Sequence, residues 1–256
     1  MNPQPTEIPA ATLIVFRNGP LGRPPEILMV VRSQEMSFAG GMAVFPGGRV
    51  DPQDNALARS TCGDPDADEA AHRIAAIRET IEETGLAPGI QQRLTVPQAR
   101  QLRATLQEQG DFPAALAARG LALDLSALIP FARWCPRGIT GHRIFDTRFY
   151  LADLGTGNVD VAVDKTENTR LFWTSASDAL AAADRGDLSL IFPTRRNLER
   201  LAQFSSFAEA RAHAEATPVR MIVPQKAIRE GREALTIPDD VGYPVTHEAI
   251  EYALRG

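Results

Sequence analysis

Residues 78 to 86 read Arg78-Glu79-Thr80-Ile81-Glu82-Glu83-Thr84-Gly85-Leu86 and contain the most informative pattern of the sequence. If this stretch is helical, its three glutamates lie on one face about 100° wide, because a helix turns ~100° per residue. Ile74, Ile77 and Ile81 lie on roughly the opposite face. The pattern therefore predicts an amphipathic helix with one apolar side and one acidic side.

The acidic side has two interpretations. Carboxylates at this spacing repel one another, and a hard divalent cation relieves that repulsion because it prefers oxygen ligands. A solvated helix face is the alternative, since surface glutamates at helical spacing are common. Two neighbouring features favour a metal site. Gly85 follows the acids where a left-handed helix end is expected, and Phe45-Pro46-Gly47-Gly48 forms a turn where backbone can approach a metal or a phosphate closely.

These residues resemble the signature of the Nudix hydrolases, G-x5-E-x7-R-E-U-x-E-E-x-G-U, in which U is aliphatic. Residues 78–86 match the second half of this pattern, with Thr80 at the first U, and Gly48 matches its opening glycine. The resemblance implies hydrolysis of a diphosphate linkage with Mg²⁺ or Mn²⁺ as cofactor.

The same resemblance implies roles for the matched residues. The expected metal ligands are Glu79, Glu82, Glu83 and the carbonyl of Gly48. Glu82 or Glu83 is expected to bridge metal ions, so both count as catalytic. Arg78 stands one helical turn before Glu82 and is expected to orient that carboxylate; a surface ion pair worth only about 0.3–0.5 kcal/mol is the alternative.

The match to the signature is interrupted. Arg78 stands thirty positions after Gly48, where the family has fourteen. The inserted residues, from Pro52 to about Pro65, contain the turn-forming runs D-P-Q-D-N and C-G-D-P-D and are predicted to form a loop. The family's early glutamate has an approximate counterpart in Glu69, one residue out of register. The run Asp66-Ala67-Asp68-Glu69 resembles a capping box and predicts that the acidic helix begins near Asp66.

The segment before the Phe-Pro-Gly-Gly turn bears on the substrate. Nudix enzymes that cleave coenzyme A have an additional signature there that begins Leu-Leu-Thr-x-Arg-Ser. Leu28-Met29-Val30-Val31-Arg32-Ser33 is similar in part, and the second arginine of that signature is absent. Arg32 stands at the head of a glycine-rich loop that also contains Phe38, and both are predicted to bind substrate. An ordinary hairpin connection is the alternative for this loop.

One further acid and several arginines are expected beside the site. Members of the family commonly recruit an acid from the loop before the last strand and helix, and Glu167 is placed best for this role, as base or additional ligand. Asp164 is the second choice, and two loop charges in water are the alternative. Arginines suited to bind phosphate at the pocket rim are Arg133, Arg137, Arg143 and Arg148, of which Arg143 and Arg148 are assigned to substrate binding.

The remaining hydrophobic patterns predict an alternation of strands and helices. Strands are expected at 10–17, 26–32, 128–134, 145–151, 170–174 and 219–223, and helices at 97–109, 112–119, 177–185 and twice after residue 192. With the resemblance, this order implies a Nudix α/β/α sandwich with a mixed β-sheet. Residues 1–256 are expected to form one domain, with a core at about 8–185, a helical insert at about 97–119 and a C-terminal helical extension at about 190–256.

Composition excludes several classes of protein. A net charge of −5 argues against a general nucleic-acid binder or a protein drawn to anionic membranes. The apolar runs are strand-sized and too short to span a bilayer. Cys62 and Cys135 provide no disulfide framework, so a reducing, cytoplasmic setting is expected. The expected partner is a small molecule, a nucleoside diphosphate derivative, and a homodimer is a further expectation because dimers are common in this fold.

The interrupted box, with Phe145–Ala152 and Pro193–Leu201, resembles a subgroup that includes the peroxisomal coenzyme A diphosphatases. The leading hypothesis is therefore hydrolysis of coenzyme A or acyl-coenzyme A to 3′,5′-ADP and 4′-phosphopantetheine species. ADP-ribose, NADH and a capped RNA end are the alternative substrates. A catalytically idle Nudix fold that binds a nucleotide is the alternative from another class, although the intact set of three glutamates counts against it.

Overall fold

The structure is a computed structural model that describes residues 6–36, 39–62, 66–137, 139, 143–155 and 168–253. Within these ranges the strands are β1 (Glu7–Arg17), β2 (Glu26–Arg32), β3 (Ala43–Val44), β4 (Gly47–Arg49), β5 (Ile129–Trp134), β6 (Ile144–Asp153), β7 (Asn168–Thr174), β8 (Met221–Ile222), β9 (Gln225–Arg229), β10 (Arg232–Thr236) and β11 (His247–Ala249). The helices are α1 (Pro52–Cys62), α2 (Ala67–Thr84), α3 (Val96–Gln109), α4 (Phe112–Ala117), α5 (Ala176–Asp184), α6 (Phe192–Leu201), α7 (Phe207–Ala216) and α8 (Ile250–Ala253).

A mixed sheet of eight strands forms the centre of the fold. Its strand order is β3-β2-β1-β6-β5-β8, with β4 paired to β1 and β7 paired to β2. Strands β1 and β6 run parallel from the pair Glu7–Ile144 to the pair Phe16–Asp153, and β5 and β8 are also parallel. The other pairings are antiparallel. The mixed sheet predicted from the sequence is confirmed.

The sheet separates two hydrophobic cores because successive side chains of a strand point to opposite faces. Leu13 and Val15 of β1 are fully buried in the core that also contains residues of α1 to α4. Ile14 and Phe16 belong to the core on the other face, which contains residues of α5 to α8. Helices therefore cover both faces, and the predicted α/β/α sandwich is confirmed.

Helix α2 contains the acidic stretch and has the expected polarity. Ile74, Ile77 and Ile81 are fully buried against the sheet. The helix ends at Gly85, whose φ of 77° is the left-handed conformation that favours glycine, and the Gly85 N–H donates to the carbonyl of Ile81. The predicted capping box at its start is absent, since the Asp66 side chain accepts no capping hydrogen bond. The acids of the first turn bind Arg73 and Arg148 instead.

The prediction of a loop from Pro52 to about Pro65 was wrong over most of its length, because residues 52–62 form helix α1. Pro52 occupies the first helical position, where proline's fixed φ and missing N–H are tolerated. Asp54 and Ala58 are buried, so one side of α1 packs beside α2. The turn-forming composition of this segment therefore reflects a helix N-terminus.

The predicted helical insert and the first two helices of the C-terminal extension are confirmed by α3, α4, α6 and α7. The strand expected at 219–223 is present as β8, which joins the edge of the main sheet beside β5. The extension also contains structure that the sequence patterns did not predict, because β9, β10 and β11 form a small antiparallel sheet. Among the described helices, none combines the length and the apolar character that a bilayer span requires.

Candidate active site

A cavity of about 830 Å³ lies where β1, the Phe45–Gly48 segment and the acidic face of α2 meet. Its acidic lining residues are Asp51, Glu79, Glu82 and Glu83. Its basic lining residues are Arg32, Arg49, Arg78 and Arg143. Apolar side chains complete the lining, among them Met36, Leu106, Trp134, Phe145, Phe149 and Ile191. The three glutamates predicted from the sequence therefore share one cavity with four arginines.

Arg78 is the centre of the polar network on α2. It is only 3% exposed, and its Nη1 donates to Glu79 Oε1 at 2.9 Å and to Glu82 Oε2 at 3.1 Å. Its Nε and Nη2 donate to the two carboxylate oxygens of Asp54 at 3.0 and 2.9 Å. Burial opposes the charge of Arg78, but the Asp54 hydrogen bonds and the neighbouring carboxylates raise its pKa above the ordinary value. Arg78 is thus a fixed cation that contacts two of the predicted metal ligands.

Glu79 lies against the backbone of Gly48. A Cβ atom added at Gly48 would lie 2.3 to 2.6 Å from the carboxylate atoms of Glu79, so only glycine leaves room for that carboxylate. Burial raises the pKa of Glu79 to about 7, against the lowering effect of Arg78. Burial also raises the pKa of Glu82. Both carboxylates are therefore held in a site that penalises their negative charge.

Glu83 is the most buried of the three glutamates, at 4% exposure. Its Oε2 accepts a hydrogen bond from the Gly47 N–H at 3.1 Å. Burial, followed by the charge of Glu79, raises the pKa of Glu83 to about 8. The amide of Asn168, 1% exposed, opposes this rise although it forms no well-aligned hydrogen bond within the described residues. The charge of Arg32 also opposes it.

The donor set fits a divalent cation. Within the described ranges, no three His, Cys, Asp or Glu side chains already form a metal-binding cluster. In this conformation Glu79 and Glu82 turn to Arg78, while Glu83 turns to Gly47. The carboxylates nevertheless belong to one helix face beside a side-chain-free backbone at Gly48. Partly buried carboxylates with raised pKa values are oxygen ligands that a cation would stabilise in the charged form.

The structure brings some predicted substrate-binding residues to the cavity and leaves out others. Arg32 and Arg143 both line it. Phe38, Glu167 and Asp164 lie outside the described residues.

Arg148 does not reach this cavity, which corrects its predicted place at the rim. Phe145, Thr147 and Phe149 of β6 line the cavity, so the side chain of Arg148 lies on the opposite face of the sheet. There its Nη1 donates to Glu69 Oε2 at 2.6 Å, and its Nη2 pairs with Asp68.

Arg133 and Arg137 are also engaged away from the cavity. Arg133 lies opposite Arg148 in the β5–β6 register and pairs with Asp146 at 2.6 Å. Arg137 pairs with Glu7.

Sequence reasoning missed Asp54, the acid that holds Arg78. Counted backwards from Arg78, the family pattern leads to residue 70 and suggests the neighbouring Glu69. Counted forwards from Gly48, the same pattern G-x5-E leads to Asp54. The insertion therefore follows the early acid, and Asp54 occupies its position. Arg49 and Asn168 were also missed; they are recognisable only because the fold places Arg49 on the cavity wall and Asn168 beside Glu83.

Comparison with known proteins supports the resemblance to the Nudix hydrolases. No family model matches the chain. The crystal structure of a Nudix hydrolase from Alicyclobacillus acidocaldarius is 31% identical in sequence and similar in fold, with a TM-score of 0.69. The match covers 81% of this chain and 96% of that one. Acyl-coenzyme A diphosphatase NUDT19 of Gallus gallus is 28% identical over 77% of this chain and 68% of that protein.

These comparisons confirm the resemblance seen in the interrupted signature, and nearly the whole of the Alicyclobacillus enzyme has a counterpart here. The chain belongs to the Nudix hydrolases, enzymes that hydrolyse diphosphate linkages in nucleoside diphosphate derivatives.

Proposed function

We propose that the protein hydrolyses the diphosphate linkage of coenzyme A or acyl-coenzyme A, with Mg²⁺ or Mn²⁺ as its cofactor. The observation that carries this proposal is the shared cavity of Glu79, Glu82 and Glu83 with Arg32 and other arginines. A diphosphate is attacked slowly because its anionic oxygens repel a nucleophile, and a site of this composition can neutralise them.

The three glutamates and the Gly48 carbonyl would hold the metal ions. When bound, a divalent cation neutralises phosphate charge and activates water for attack on phosphorus. Glu79 and Glu82 line the cavity while they accept hydrogen bonds from Arg78, so Arg78 would orient both carboxylates for a bound ion. Asp54 accepts two hydrogen bonds from the Arg78 guanidinium and so fixes the position from which Arg78 would orient them.

The arginines of the cavity would bind the substrate phosphates. Arg32 and Arg143 are proposed for this role from the sequence, and Arg49 joins them because it lines the same cavity. A guanidinium binds two phosphate oxygens at once and stays charged at every physiological pH. We further propose Phe38 as a substrate contact and Glu167 as the base or an additional metal ligand; these two roles rest on the sequence alone.

Two observations favour a coenzyme A derivative over other nucleoside diphosphates. The avian relative is an acyl-coenzyme A diphosphatase. The cavity lining also contains apolar side chains, including Trp134, Phe145 and Ile191, which a pantetheine arm or an acyl chain can contact.

The experiment that tests this proposal is mass-resolved hydrolysis of coenzyme A, acetyl-coenzyme A, ADP-ribose and NADH with Mg²⁺ or Mn²⁺. Release of 3′,5′-ADP from coenzyme A, in preference to cleavage of the other compounds, is the expected result. Cleavage of ADP-ribose or NADH alone would contradict the proposed substrate and keep the reaction class. No cleavage of any compound would contradict the proposed function.

Some proposals concern the whole chain. We propose that residues 1–256 form one domain, because residues of α6, α7 and β8 belong to the same core as β1 and β6. A homodimer in the cytoplasm is proposed from the sequence, and light scattering of the purified protein tests the dimer.

A further inference from the structure

The C-terminal end of α2 concentrates negative charge. Glu82 and Glu83 stand in the last turn of the helix, and that turn contains no basic residue. The end of a helix dipole is itself negative, so two carboxylates at this position are unfavourable. The last carbonyls of a helix also lack partners within the helix. The Gly85 N–H satisfies Ile81, which leaves the carbonyls of Glu82 and Glu83 to be satisfied from outside.

Arg103 of α3 supplies both the hydrogen-bond donors and the positive charge that this helix end lacks. Its Nε donates to the Glu82 carbonyl at 2.8 Å, and its Nη2 donates to the Glu83 carbonyl at 2.9 Å. The side chain is 8% exposed and passes beside Gly85, where even an added Cβ atom would be in ordinary van der Waals contact with it. One guanidinium therefore caps two consecutive carbonyls and places a positive charge at the negative end of the acidic helix.

The same face of α3 reaches the cavity. Leu106 and Gln107 follow Arg103 at helical spacings of three and four residues, and both line the cavity together with Gly110. Gln107 Nε2 makes a longer contact of 3.4 Å to the Glu82 carbonyl. The inserted helix thus contacts both the backbone of two predicted metal ligands and the space where substrate would bind.

We propose that Arg103 is a positioning residue of the active site, which fixes the backbone of Glu82 and Glu83 so that their carboxylates can face the cations. This inference rests on the proposed function, since it assigns the two glutamates to the metal. Two hydrogen bonds from one guanidinium limit rotation and translation of the last turn of α2. Groups that hold metal ligands in place by hydrogen bonds affect metal affinity in this way. The insert is then part of the catalytic apparatus.

The test compares Arg103→Met, Arg103→Lys and the control Arg119→Met. Arg119 belongs to the same insert and binds residues of α3 and α4, with its Nη2 2.6 Å from Thr105 Oγ1. Mn²⁺ affinity of each purified protein is measured without substrate, by electron paramagnetic resonance, and circular dichroism verifies folding. Hydrolysis of coenzyme A then gives kcat and KM separately.

Arg103→Met is expected to weaken Mn²⁺ binding about 10- to 100-fold and to lower kcat more than it raises KM. Arg103→Lys keeps the charge but cannot hold both carbonyls, so its affinity falls between those of Arg103→Met and the wild type. Arg119→Met keeps the wild-type affinity. A folded Arg103→Met protein with wild-type Mn²⁺ affinity would overturn the inference alone, whereas a wild-type protein that binds no Mn²⁺ would overturn the metal site as well. If Arg103→Met does not fold, wild-type Mn²⁺ affinity in Arg103→Lys overturns the inference.

Discussion

Arg78 and Asp54 form a buried, two-point ion pair that joins helices α1 and α2. Both side chains are at most 3% exposed, and the two hydrogen bonds measure 3.0 and 2.9 Å. Arg78 uses its remaining N–H groups on the carbonyl of Arg49 and on the carboxylates of Glu79 and Glu82. The pair therefore connects the first turn of α1 with the acidic face of α2.

Replacement of Asp54 by asparagine is expected to destabilise the protein. The amide NH₂ would face the donors of Arg78, and a buried charge would lose its best-aligned partner, at a cost of about 2–3 kcal/mol. Urea unfolding measures the change. Asp51→Asn is the control, because Asp51 is 41% exposed and its oxygen lies 3.6 Å from Arg78. Equal stability of the two variants would contradict a special role for Asp54.

Gly48→Ala tests the close approach of backbone and carboxylate. The new methyl group would overlap the Glu79 carboxylate, which must move by about 1 Å or more. A displacement of this size at a reacting site lowers the rate by about 10²-fold. Steady-state hydrolysis measures the effect, with urea unfolding to separate it from lost stability. An alanine variant as active as the wild type would show that Glu79 can occupy another position.

Tyr243 links the C-terminal extension to a side chain of the cavity wall. Its hydroxyl accepts a hydrogen bond from Trp134 Nε1 at 2.9 Å and donates to Asn197 Oδ1 at 2.6 Å. Tyr243→Phe removes both hydrogen bonds and leaves Trp134 Nε1 and Asn197 Oδ1 buried without them. We therefore expect a loss of about 1–3 kcal/mol in the free energy of unfolding. Tyr252→Phe, at a position 54% exposed, is the control and should change stability little. Matching losses in both variants would count against the Tyr243 link.

His72 predicts one part of the pH dependence of stability. Burial lowers the pKa of His72 below its ordinary value of 6.5, although the Asp68 carbonyl, 2.7 Å from Nδ1, opposes the change. A lowered pKa means that the unfolded chain binds the proton more readily than the folded protein. The stability that neutral His72 provides is therefore present above pH 6.5 and is lost as pH falls through the lower folded value.

The matching experiment measures the free energy of unfolding of the wild type and of His72→Gln from about pH 8 to about pH 5. The wild type should lose more stability than the variant over this range. A difference between the two proteins that stays constant with pH would contradict the assignment.

Much of the core was predictable because its signals are local. Alternating or continuous apolar runs gave β1, β2, β5, β6 and β7, and the isoleucine spacing gave α2 with its buried side. Helix α1 was missed because its composition resembles a turn, and its stability depends on burial of Asp54 and Ala58 against α2. The strands β9 to β11 have only three to five residues each, and most of β9 is exposed, so they contain little hydrophobic pattern.

The site residues were predictable from the sequence where the signature is continuous. They were not predictable where their roles depend on tertiary contacts. Alternation along β6 shows that Arg148 and Phe149 lie on opposite faces, but the pattern alone does not say which face borders the cavity. Asp54 was obscured by the insertion that follows it. The capping of α2 by Arg103 joins segments 20 residues apart or more, and no local signal predicts it.

A comparison of Glu82→Gln with Glu69→Gln shows whether the acidic face of α2 performs the chemistry. Glu82 faces the cavity, whereas Glu69 of the same helix pairs with Arg73 and Arg148 outside it. The measurement is kcat for Mg²⁺-dependent coenzyme A hydrolysis by folded protein. We predict a loss of about 10²-fold or more for Glu82→Gln and a rate near the wild-type value for Glu69→Gln. Full turnover by Glu82→Gln would show that hydrolysis does not depend on the acidic face of α2.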